Sequence, residues 1–249
     1  MSIPQDKLFE IKELCRDFQD KKFCSKTQLQ SLLGSLLYVS KCIKYSRVFL
    51  NRMLNTLRLH KNKKSISLRK DFHRDLNWFL TFLVDFNGVS LFKRGQFHKE
   101  VHLDASLDGV GAVCGDQVYA ARIPFEFQSS PIVVLEMFNI FIALNMWKKQ
   151  WKGKNVKIAC DNEAVVTILN SGKTNNMLLA TIARNIFMLA ASHDIFIKVV
   201  HIPGKRNEIA DLLSRWEKIE KNEERLTKLL PIHHWVQVIP EYLVLDHNI

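Results

Sequence analysis

Three consecutive β-strands are predicted in residues 101–123, VHLDASLDGVGAVCGDQVYAARI. The turn signal Asp108-Gly109 separates the first strand from the second. Downstream, the pattern alternates: helices are predicted at 132–151, 163–169, 176–192 and 207–216, and strands at 155–161 and 195–202. Three antiparallel strands followed by alternating helices and strands predict an α/β fold with a five-stranded mixed sheet flanked by helices.

Four acidic residues in this part of the chain belong to four different predicted elements. They are Asp104 in VHLDAS, Glu136 in VLEMF, Asp161 in ACDNEA and Asp211 in NEIADLLSR. Glu136 is the only charged side chain between Pro131 and Trp147. Buried carboxylates are costly unless a cation or hydrogen bonds compensate them. Four of them in separate elements therefore predict a site that holds divalent metal ions.

Each of these carboxylates also has a purely structural explanation. Asp161 precedes a predicted helix, which it could cap, and Asp211 could form an ion pair with Arg215 at i+4. A surface position explains Glu136 poorly because its neighbours are apolar on all sides. Asp104 could be a turn carboxylate, although Asp108 suits that role better. The four explanations must all hold at once, whereas a single metal site accounts for the whole set.

Residues 1–97 are predicted to form a basic helical region. Apolar stripes at helical spacing begin at Leu8, Leu29, Val48 and Phe72; the Asn87-Gly88 turn signal follows the last of them, and the polar stretch 93–100 marks the predicted domain boundary. Residues 217–249 are predicted to be a tail that contains a helix and an extended segment. The domain prediction is therefore 1–97, 98–216 and 217–249.

The net charge is confined to the helical region. Residues 1–100 contain 20 lysines and arginines against 9 acidic residues, whereas residues 101–249 contain 16 of each. This asymmetry predicts that the helical region holds the phosphates of a nucleic acid on which the second domain acts. The alternative is that these charges only keep the surface soluble. The candidate phosphate contacts in this region are Lys41, Lys44, Arg47 and Arg52. A second group of candidates lies at the end of the long helix and also suits a helix C-terminus: Lys148, Lys149 and Lys152.

Several classes of protein are excluded by the composition. No apolar run approaches the roughly 20 residues that span a bilayer, and the N-terminus lacks the apolar core of a secretory signal. The five cysteines show no paired spacing and no Cys-x-x-Cys motif, so neither a disulfide framework nor a zinc site is indicated. These features predict an intracellular protein, in the cytoplasm or nucleus, whose thiols are reduced and mostly buried.

The order of the four acidic segments resembles the ribonuclease H fold. HIPGKRNEIADLLSRW (201–216) is similar to the end of the ribonuclease H domain in retroelement reverse transcriptases of the gypsy and DIRS types. KTQLQSLLGSLLYVSKCI (26–43) and DLNWFLTFLVDFNGVSLF (75–92) are similar to the thumb and connection of those polymerases. The sequence contains no Tyr-x-Asp-Asp motif, so a fragment or decayed copy without the polymerase palm is expected. The palm would then be a partner, and polymerase activity is not expected from this chain alone.

The resemblance implies cleavage of the RNA strand of RNA–DNA hybrids with two Mg²⁺ ions, for which Mn²⁺ can substitute. It assigns the bridging position to Asp104, the second ion to Glu136 and Asp161, and the attacking water to Asp211. Three polar residues lie near these carboxylates in the sequence and are candidates for contact with a 2′-hydroxyl: Ser106, Asn139 and Asn162. Each of the three could equally be a cap or turn residue.

The loop HIPGKRNE is shorter than in cellular ribonucleases H, and Lys205 stands about where their loop histidine falls. A lysine with a pKa of about 10.4 relays protons poorly at neutral pH. His201 is the candidate for a substitute proton relay, with a structural role as the alternative. Two functions remain open, a hybrid-specific endonuclease and a catalytically silent nucleic-acid-binding remnant of a transposable element. A transposase of the DDE type fits less well because of the ADLLSR ending.

Overall fold

The computed structural model describes residues 3–43, 46–60, 62–85, 96–215 and 219–246. The chain divides into two compact units. The first comprises residues 1–94, 172–175 and 247–249, and the second comprises residues 95–171 and 176–246. The three-part division at residues 97 and 216 that the sequence predicts stays a prediction.

The first unit is mainly helical. Its elements are α1 (Gln5–Gln19), β1 (Phe23–Ser25), α2 (Lys26–Cys42), a 3-10 turn (Ser46–Leu50), α3 (Asn51–Leu59), β2 (Ser65–Ser67) and α4 (Lys70–Asp85). A capping box starts α2, in which Ser25 and Gln28 exchange side-chain and backbone hydrogen bonds. The prediction of an all-helical region was wrong in one respect, because β1 and β2 form a small antiparallel sheet. Three-residue strands are too short to show a period of two. The Asn87-Gly88 turn lies outside the described residues.

The second unit contains a six-stranded mixed sheet in the order β7-β6-β3-β4-β5-β8. Its strands are β3 (Lys99–Ala105), β4 (Gly109–Cys114), β5 (Gln117–Arg122), β6 (Asn155–Cys160), β7 (Phe196–His201) and β8 (His234–Trp235). The first three are antiparallel neighbours, and β6 runs parallel to both β3 and β7. The helices are α5 (Ile132–Trp151), α6 (Glu163–Ser171), α7 (Met177–Ser192), α8 (Glu208–Ser214) and α9 (Ile219–Leu229). The predicted α/β class is thus confirmed.

The C-terminal segment supplies a short strand within the part of the chain that the sequence predicts to be extended. The two residues of β8 pair parallel with β5 at the edge of the sheet, so the sheet has six strands rather than five. Leu226 of α9 joins the buried cluster of Val113, Val118 and Leu213. The Asn185 amide exchanges two hydrogen bonds, of 3.0 and 2.9 Å, with the backbone of Asp246. The segment therefore packs on the second unit along much of its length.

The described residues contain neither a membrane-spanning helix nor a disulfide. Among them, no helix is both long and apolar enough to cross a membrane. All five cysteines are buried, and none forms a disulfide. The thiols are thus packed as small apolar side chains.

Helix α8 lies directly on the backbone of β4, and a glycine makes this approach possible. A Cβ atom at Gly111 would lie 2.4 Å from Leu213 Cβ and 2.6 Å from the Ser214 nitrogen. Side chains do not approach backbone so closely, so any other residue would push α8 away from the sheet. Gly111 therefore sets the position of the helix that carries Asp211 and Ser214.

We expect Gly111→Ala to lower the free energy of unfolding by about 1 to 3 kcal/mol, the usual cost of overpacking a core. Urea denaturation of both proteins measures the difference. Gly34→Ala is the matched control, because a Cβ there meets nothing within 4 Å and Gly34 lies inside α2. That control should raise stability by roughly 0.5 to 1 kcal/mol. Equal effects of the two substitutions would contradict the packing described for α8.

Candidate metal centre

The four predicted carboxylates line a single cavity of about 510 Å³ in the second unit. Asp104 comes from the end of β3, Glu136 from α5, Asp161 from the residue after β6, and Asp211 from α8. Because β3 and β6 are adjacent and parallel, their C-terminal ends meet at one edge of the sheet. The other residues that line the cavity are Ala105, Ser106, Ile132, Asn162, Glu163, Ala164 and Arg215.

Asp104 is held in place by a serine from α8. The Ser214 hydroxyl donates a hydrogen bond of 2.7 Å to Asp104 Oδ2. Burial raises the pKa of Asp104 to about 6; the Ser214 bond opposes this increase, and the charges of Asp161 and Asp211 add to it. No role for Ser214 was predicted from the sequence. Its position three residues after Asp211 was the available signal, since residues at i and i+3 lie on the same face of a helix.

Glu136 is the most deeply buried of the four, with 3% of its surface exposed. Burial raises its pKa to about 9, and the nearby Asp104 and Asp161 contribute to the increase. A hydrogen bond from the Ala105 backbone works in the opposite direction. Among the described residues, Glu136 has no ion-pair partner. Without a cation in the cavity, this side chain is therefore protonated at neutral pH.

Asp161 does not cap the helix that follows it. The neighbouring Asn162 does so, because its Oδ1 accepts hydrogen bonds from the backbone nitrogens of Ala164 (3.1 Å) and Val165 (3.3 Å). A Cβ atom at Gly204 would lie 3.2 Å from Asp161 Oδ2, so the glycine keeps the space beside this oxygen open. The Asp161 carboxylate is thus left facing the cavity.

Asp211 lines the cavity and also forms the ion pair with Arg215. Arg215 Nη2 lies 2.6 Å from Asp211 Oδ1, and Nε lies 3.1 Å from Oδ2. Both oxygens of the carboxylate are therefore engaged by one guanidinium. Asp211 therefore forms the ion pair with Arg215 that its i+4 spacing suggests, and it lines the cavity as well.

A cysteine adjoins two of the carboxylates. Cys160 Sγ lies 3.8 Å from Glu136 Oε2, and one ligand atom each from Glu136, Cys160 and Asp161 lie within 4.8 Å of one another. Burial raises the pKa of the Cys160 thiol far above its ordinary value. From the sequence, Cys160 was predicted only to be a buried thiol, although its place directly before Asp161 was visible there.

The arrangement of these side chains fits divalent cations. Carboxylate oxygens converge on one open cavity, and a buried glutamate among them lacks a charge partner in the described part of the chain. Oxygen donors suit Mg²⁺ and Mn²⁺. Asp104, Glu136 and Asp161, with Asp211 at the rim, are the residues that would hold such ions.

Of the three predicted substrate contacts, Asn139 was wrong, whereas Ser106 and Asn162 line the cavity and also have structural roles. Asn139 is fully buried; it accepts a hydrogen bond from the Tyr119 hydroxyl and donates to the carbonyl oxygens of Asp104 (2.7 Å) and Gly111 (2.9 Å). It therefore ties β3, β4 and α5 together and cannot reach a substrate. Ser106 lines the cavity, but its hydroxyl donates to the Ser214 carbonyl (2.8 Å) and accepts from turn nitrogens. Asn162 also lines the cavity while it caps α6.

The basic residues predicted to contact phosphates in the first unit differ in exposure. Lys41 is exposed, and Arg47 is half-buried. The prediction for Arg52 was wrong, because its side chain is only 9% exposed and lies 3.4 Å from the buried Asp75 carboxylate. Arg52 serves the packing of the helices. Lys44 lies outside the described residues.

The basic residues at the end of α5 and the candidate relay histidine lie in the second unit. Lys149 and Lys152 are exposed, whereas Lys148 is half-buried and donates to Asn145 Oδ1 (3.1 Å). His201 is exposed at the end of β7 and is not among the residues that line the carboxylate cavity. Its role as a proton relay stays a prediction.

The mixed sheet and its flanking helices form a ribonuclease H-like fold. Residues 102–217 match the family described as reverse transcriptase-like. This match confirms, for these residues, the predicted resemblance to the ribonuclease H region of retroelement reverse transcriptases. The thumb- and connection-like segments lie upstream of the matched residues.

Two solved structures are similar to the chain. One is a foamy viral protease-reverse transcriptase, designated dRH, in complex with double-stranded DNA, with 13% identity and a TM-score of 0.34 over 81% of this chain. The other is a foamy viral protease-reverse transcriptase in complex with double-stranded DNA, with 13% identity and a TM-score of 0.33 over 78% of this chain. The chain spans 35% and 42% of those structures, respectively. No curated protein matches the chain.

Proposed function

We propose that the protein is a metal-dependent endonuclease that cleaves the RNA strand of RNA–DNA hybrids, as the ribonuclease H part of a retroelement reverse transcriptase. The observation that supports this most directly is the convergence of Asp104, Glu136, Asp161 and Asp211 on one cavity. A carboxylate as deeply buried as Glu136 is costly to ionise unless a cation occupies the site.

Two Mg²⁺ ions, or Mn²⁺ in their place, would lower the pKa of an attacking water and stabilise the oxygen that leaves phosphorus. The chain itself supplies rigid support for the ligands. Ser214 orients the carboxylate of Asp104, and Ser106 in turn donates to the Ser214 carbonyl. Glu136 is carried by α5 and accepts a hydrogen bond from the Ala105 N–H. Such support keeps metal ligands within the narrow tolerance that catalysis needs.

Substrate would approach at the rim of the cavity. Ser106 and Asn162 lie there, and we propose that one or both of them contact the 2′-hydroxyl of the RNA strand. The exposed side chains of Lys149 and Lys152 are proposed to contact backbone phosphates. The nucleic acid is the proposed partner, together with a polymerase palm on another segment or chain.

The test is cleavage of a hybrid whose RNA strand is labelled, compared with duplex DNA of the same sequence. With Mg²⁺ or Mn²⁺, we expect RNA fragments with 3′-hydroxyl and 5′-phosphate ends and intact duplex DNA. Excess chelator should abolish the reaction. Cleavage that persists in chelator, or equal cleavage of duplex DNA, would contradict the proposal.

A catalytically silent nucleic-acid-binding protein is the second candidate. The ion pair of Arg215 with both oxygens of Asp211 favours it, because it removes a carboxylate from metal binding. The confinement of the net charge to the first 100 residues is consistent with either function. Binding to a hybrid without cleavage in Mg²⁺ or Mn²⁺ would select this candidate.

Salt dependence tests the role of the basic helical region. Replacing the exposed Lys41, Lys63 and Lys64 with glutamate should weaken binding of a labelled hybrid and flatten the plot of log affinity against log salt. The slope should change by about 0.9 for each phosphate of duplex DNA that the protein no longer neutralises, and by a similar amount on a hybrid. A fluorescence anisotropy titration with the Asp161→Asn variant avoids cleavage during the measurement. Replacing the exposed Lys221 and Lys228 with glutamate is the control. If Asp161→Asn has the same slope alone and with either set of replacements, the basic region only keeps the protein soluble.

A further inference from the structure

Glu136, Cys160 and Asp161 form one edge of the metal centre, at which the fully buried Cys160 adjoins the two carboxylates without lining the cavity itself. The carboxylates that line the cavity offer oxygen donors, whereas Cys160 offers sulfur. Its Sγ is placed by β6 and accepts a hydrogen bond of 3.4 Å from the Asn162 nitrogen, while it donates to Glu136 Oε2 at 3.8 Å. The thiol is therefore held facing the glutamate rather than the apolar core.

The separations of these donor atoms suit a small tetrahedral ion. A zinc ion binds sulfur at about 2.3 Å and carboxylate oxygen at about 2.0 Å, which places the two donors about 3.5 Å apart in a tetrahedron. The observed separation of Cys160 Sγ from Glu136 Oε2 is 3.8 Å, and all three donors lie within 4.8 Å of one another. Three protein ligands would leave the fourth position open to water.

Two further observations indicate that this edge suits a cation. Glu136 is 3% exposed, and in the described part of the chain no basic side chain pairs with it. On the opposite side, a glycine borders Asp161 Oδ2, since a Cβ at Gly204 would lie 3.2 Å away. The space beside the carboxylate is thus kept free for a ligand.

We propose that Glu136, Cys160 and Asp161 form a site for a thiophilic divalent ion, of the Zn²⁺ or Cd²⁺ type, which displaces the ions of the carboxylate centre and stops cleavage. The binding itself is independent of the proposed nuclease activity, whereas the inhibition rests on it. When the metal binds, the thiol proton of Cys160 and the proton carried by Glu136 both pass to solvent, and no oxidation or reduction takes place. Thiolate and carboxylate together favour such ions over Mg²⁺, which prefers oxygen ligands and octahedral geometry.

The test is a titration of the metal-free protein with Cd²⁺, read by the ultraviolet charge-transfer absorption of a cadmium–thiolate bond. We expect one equivalent of Cd²⁺ to produce this absorption in the wild type. Cys160→Ser should abolish it and should weaken Cd²⁺ binding more than tenfold, since loss of even an outer partner costs about 10- to 100-fold in metal affinity. Serine is similar in size to cysteine and keeps a polar donor at this position. Cys114→Ser is the matched control, because Cys114 is also buried in the sheet of the second unit but is not part of this cluster.

A second variant serves if Cys160→Ser does not fold. Asp161→Asn keeps the thiol and the shape of the site, so the absorption should persist at saturation while the affinity for Cd²⁺ falls more than tenfold. The proposal is overturned if the wild type gives no thiolate absorption, or if Cys160→Ser gives the same absorption as the wild type. It is also overturned if Asp161→Asn binds Cd²⁺ with unchanged affinity.

The activity measurement separates this proposal from the proposed function. In Mg²⁺, a low concentration of Zn²⁺ should inhibit hybrid cleavage by the wild type and by Cys114→Ser more than tenfold more strongly than cleavage by Cys160→Ser. A wild type that shows the Cd²⁺ absorption but never cleaves a hybrid supports the metal site and contradicts the nuclease. A wild type that cleaves a hybrid but shows no such absorption supports the nuclease and contradicts the metal site.

Discussion

Replacement of Asp104 or Asp161 with asparagine should reduce hybrid cleavage by about 10³-fold or more. Asparagine preserves the shape of each side chain but removes the negative charge that holds a divalent ion. The loss of several kcal/mol of transition-state stabilisation corresponds to this factor, because each 1.36 kcal/mol changes the rate tenfold. Single-turnover cleavage of a labelled hybrid, measured at saturating enzyme, gives the rate of the chemical step.

The matched control for these variants is Asp116→Asn. Asp116 is exposed and pairs with His234 away from the cavity, so its replacement should leave the cleavage rate unchanged. Circular dichroism establishes that all three variants are folded. Cleavage by the Asp104 and Asp161 variants at the wild-type rate would refute the assignment of the cavity as the active centre.

Glu136→Gln should stabilise the metal-free protein at alkaline pH. Burial raises the pKa of Glu136 from 4.5 to about 9, and that of Asp104 moves in the same direction, from 3.8 to about 6. Between pH 4.5 and 9 the folded state holds a proton that the unfolded state has released, so stability falls as the pH rises through this window. The stabilising contribution of protonated Glu136 is thus complete below pH 4.5 and lost towards pH 9.

The expected gain for Glu136→Gln is up to about 5 kcal/mol at pH 8, since pH 8 lies 3.5 units above the ordinary pKa of 4.5 and each unit corresponds to 1.36 kcal/mol. Urea denaturation in chelator at pH 5 and pH 8 measures it, and the difference between variant and wild type should shrink at pH 5. Glu163→Gln is the control, because Glu163 lines the same cavity but is exposed. The same pH dependence in wild type and Glu136→Gln would show that the glutamate is not desolvated as described.

Addition of Mg²⁺ or Mn²⁺ should reverse the order of these stabilities. A ligand that binds only the folded state stabilises it according to its concentration and dissociation constant. The wild type, which can ionise Glu136 when a cation is present, should gain more than Glu136→Gln. The two denaturation series together therefore separate the cost of burying the carboxylate from its benefit in metal binding.

The local pattern of the sequence determined most of the secondary structure of the second unit. Alternating and continuous apolar runs marked β3 to β7, and helical spacing marked the helices between them, because these periods follow from the geometry of single elements. The four carboxylates could be selected because each interrupts an apolar run or ends a strand. The sequence predicted that they form one metal site, and the parallel pairing of β3 with β6 brings Asp104 and Asp161 to the same edge of the sheet.

The sequence pattern did not predict the shortest strands as strands. The three residues of β1, the three of β2 and the two of β8 are too few to show a period. Their strand conformation depends on a partner that is distant in the chain: Cys24 pairs with Ile66, and Val118 with Trp235. Only the packing of the whole chain brings such partners together.

The roles of individual polar residues were likewise decided by tertiary structure. Asn139 and Arg52 looked like contacts for nucleic acid, but the fold directs one to backbone carbonyls and the other to Asp75. Ser214 reaches Asp104 across 110 positions of sequence because Gly111 lets α8 lie on β4. The sequence therefore determined which elements form and which carboxylates they carry, whereas burial and the distances between elements decided which side chains meet at the metal centre.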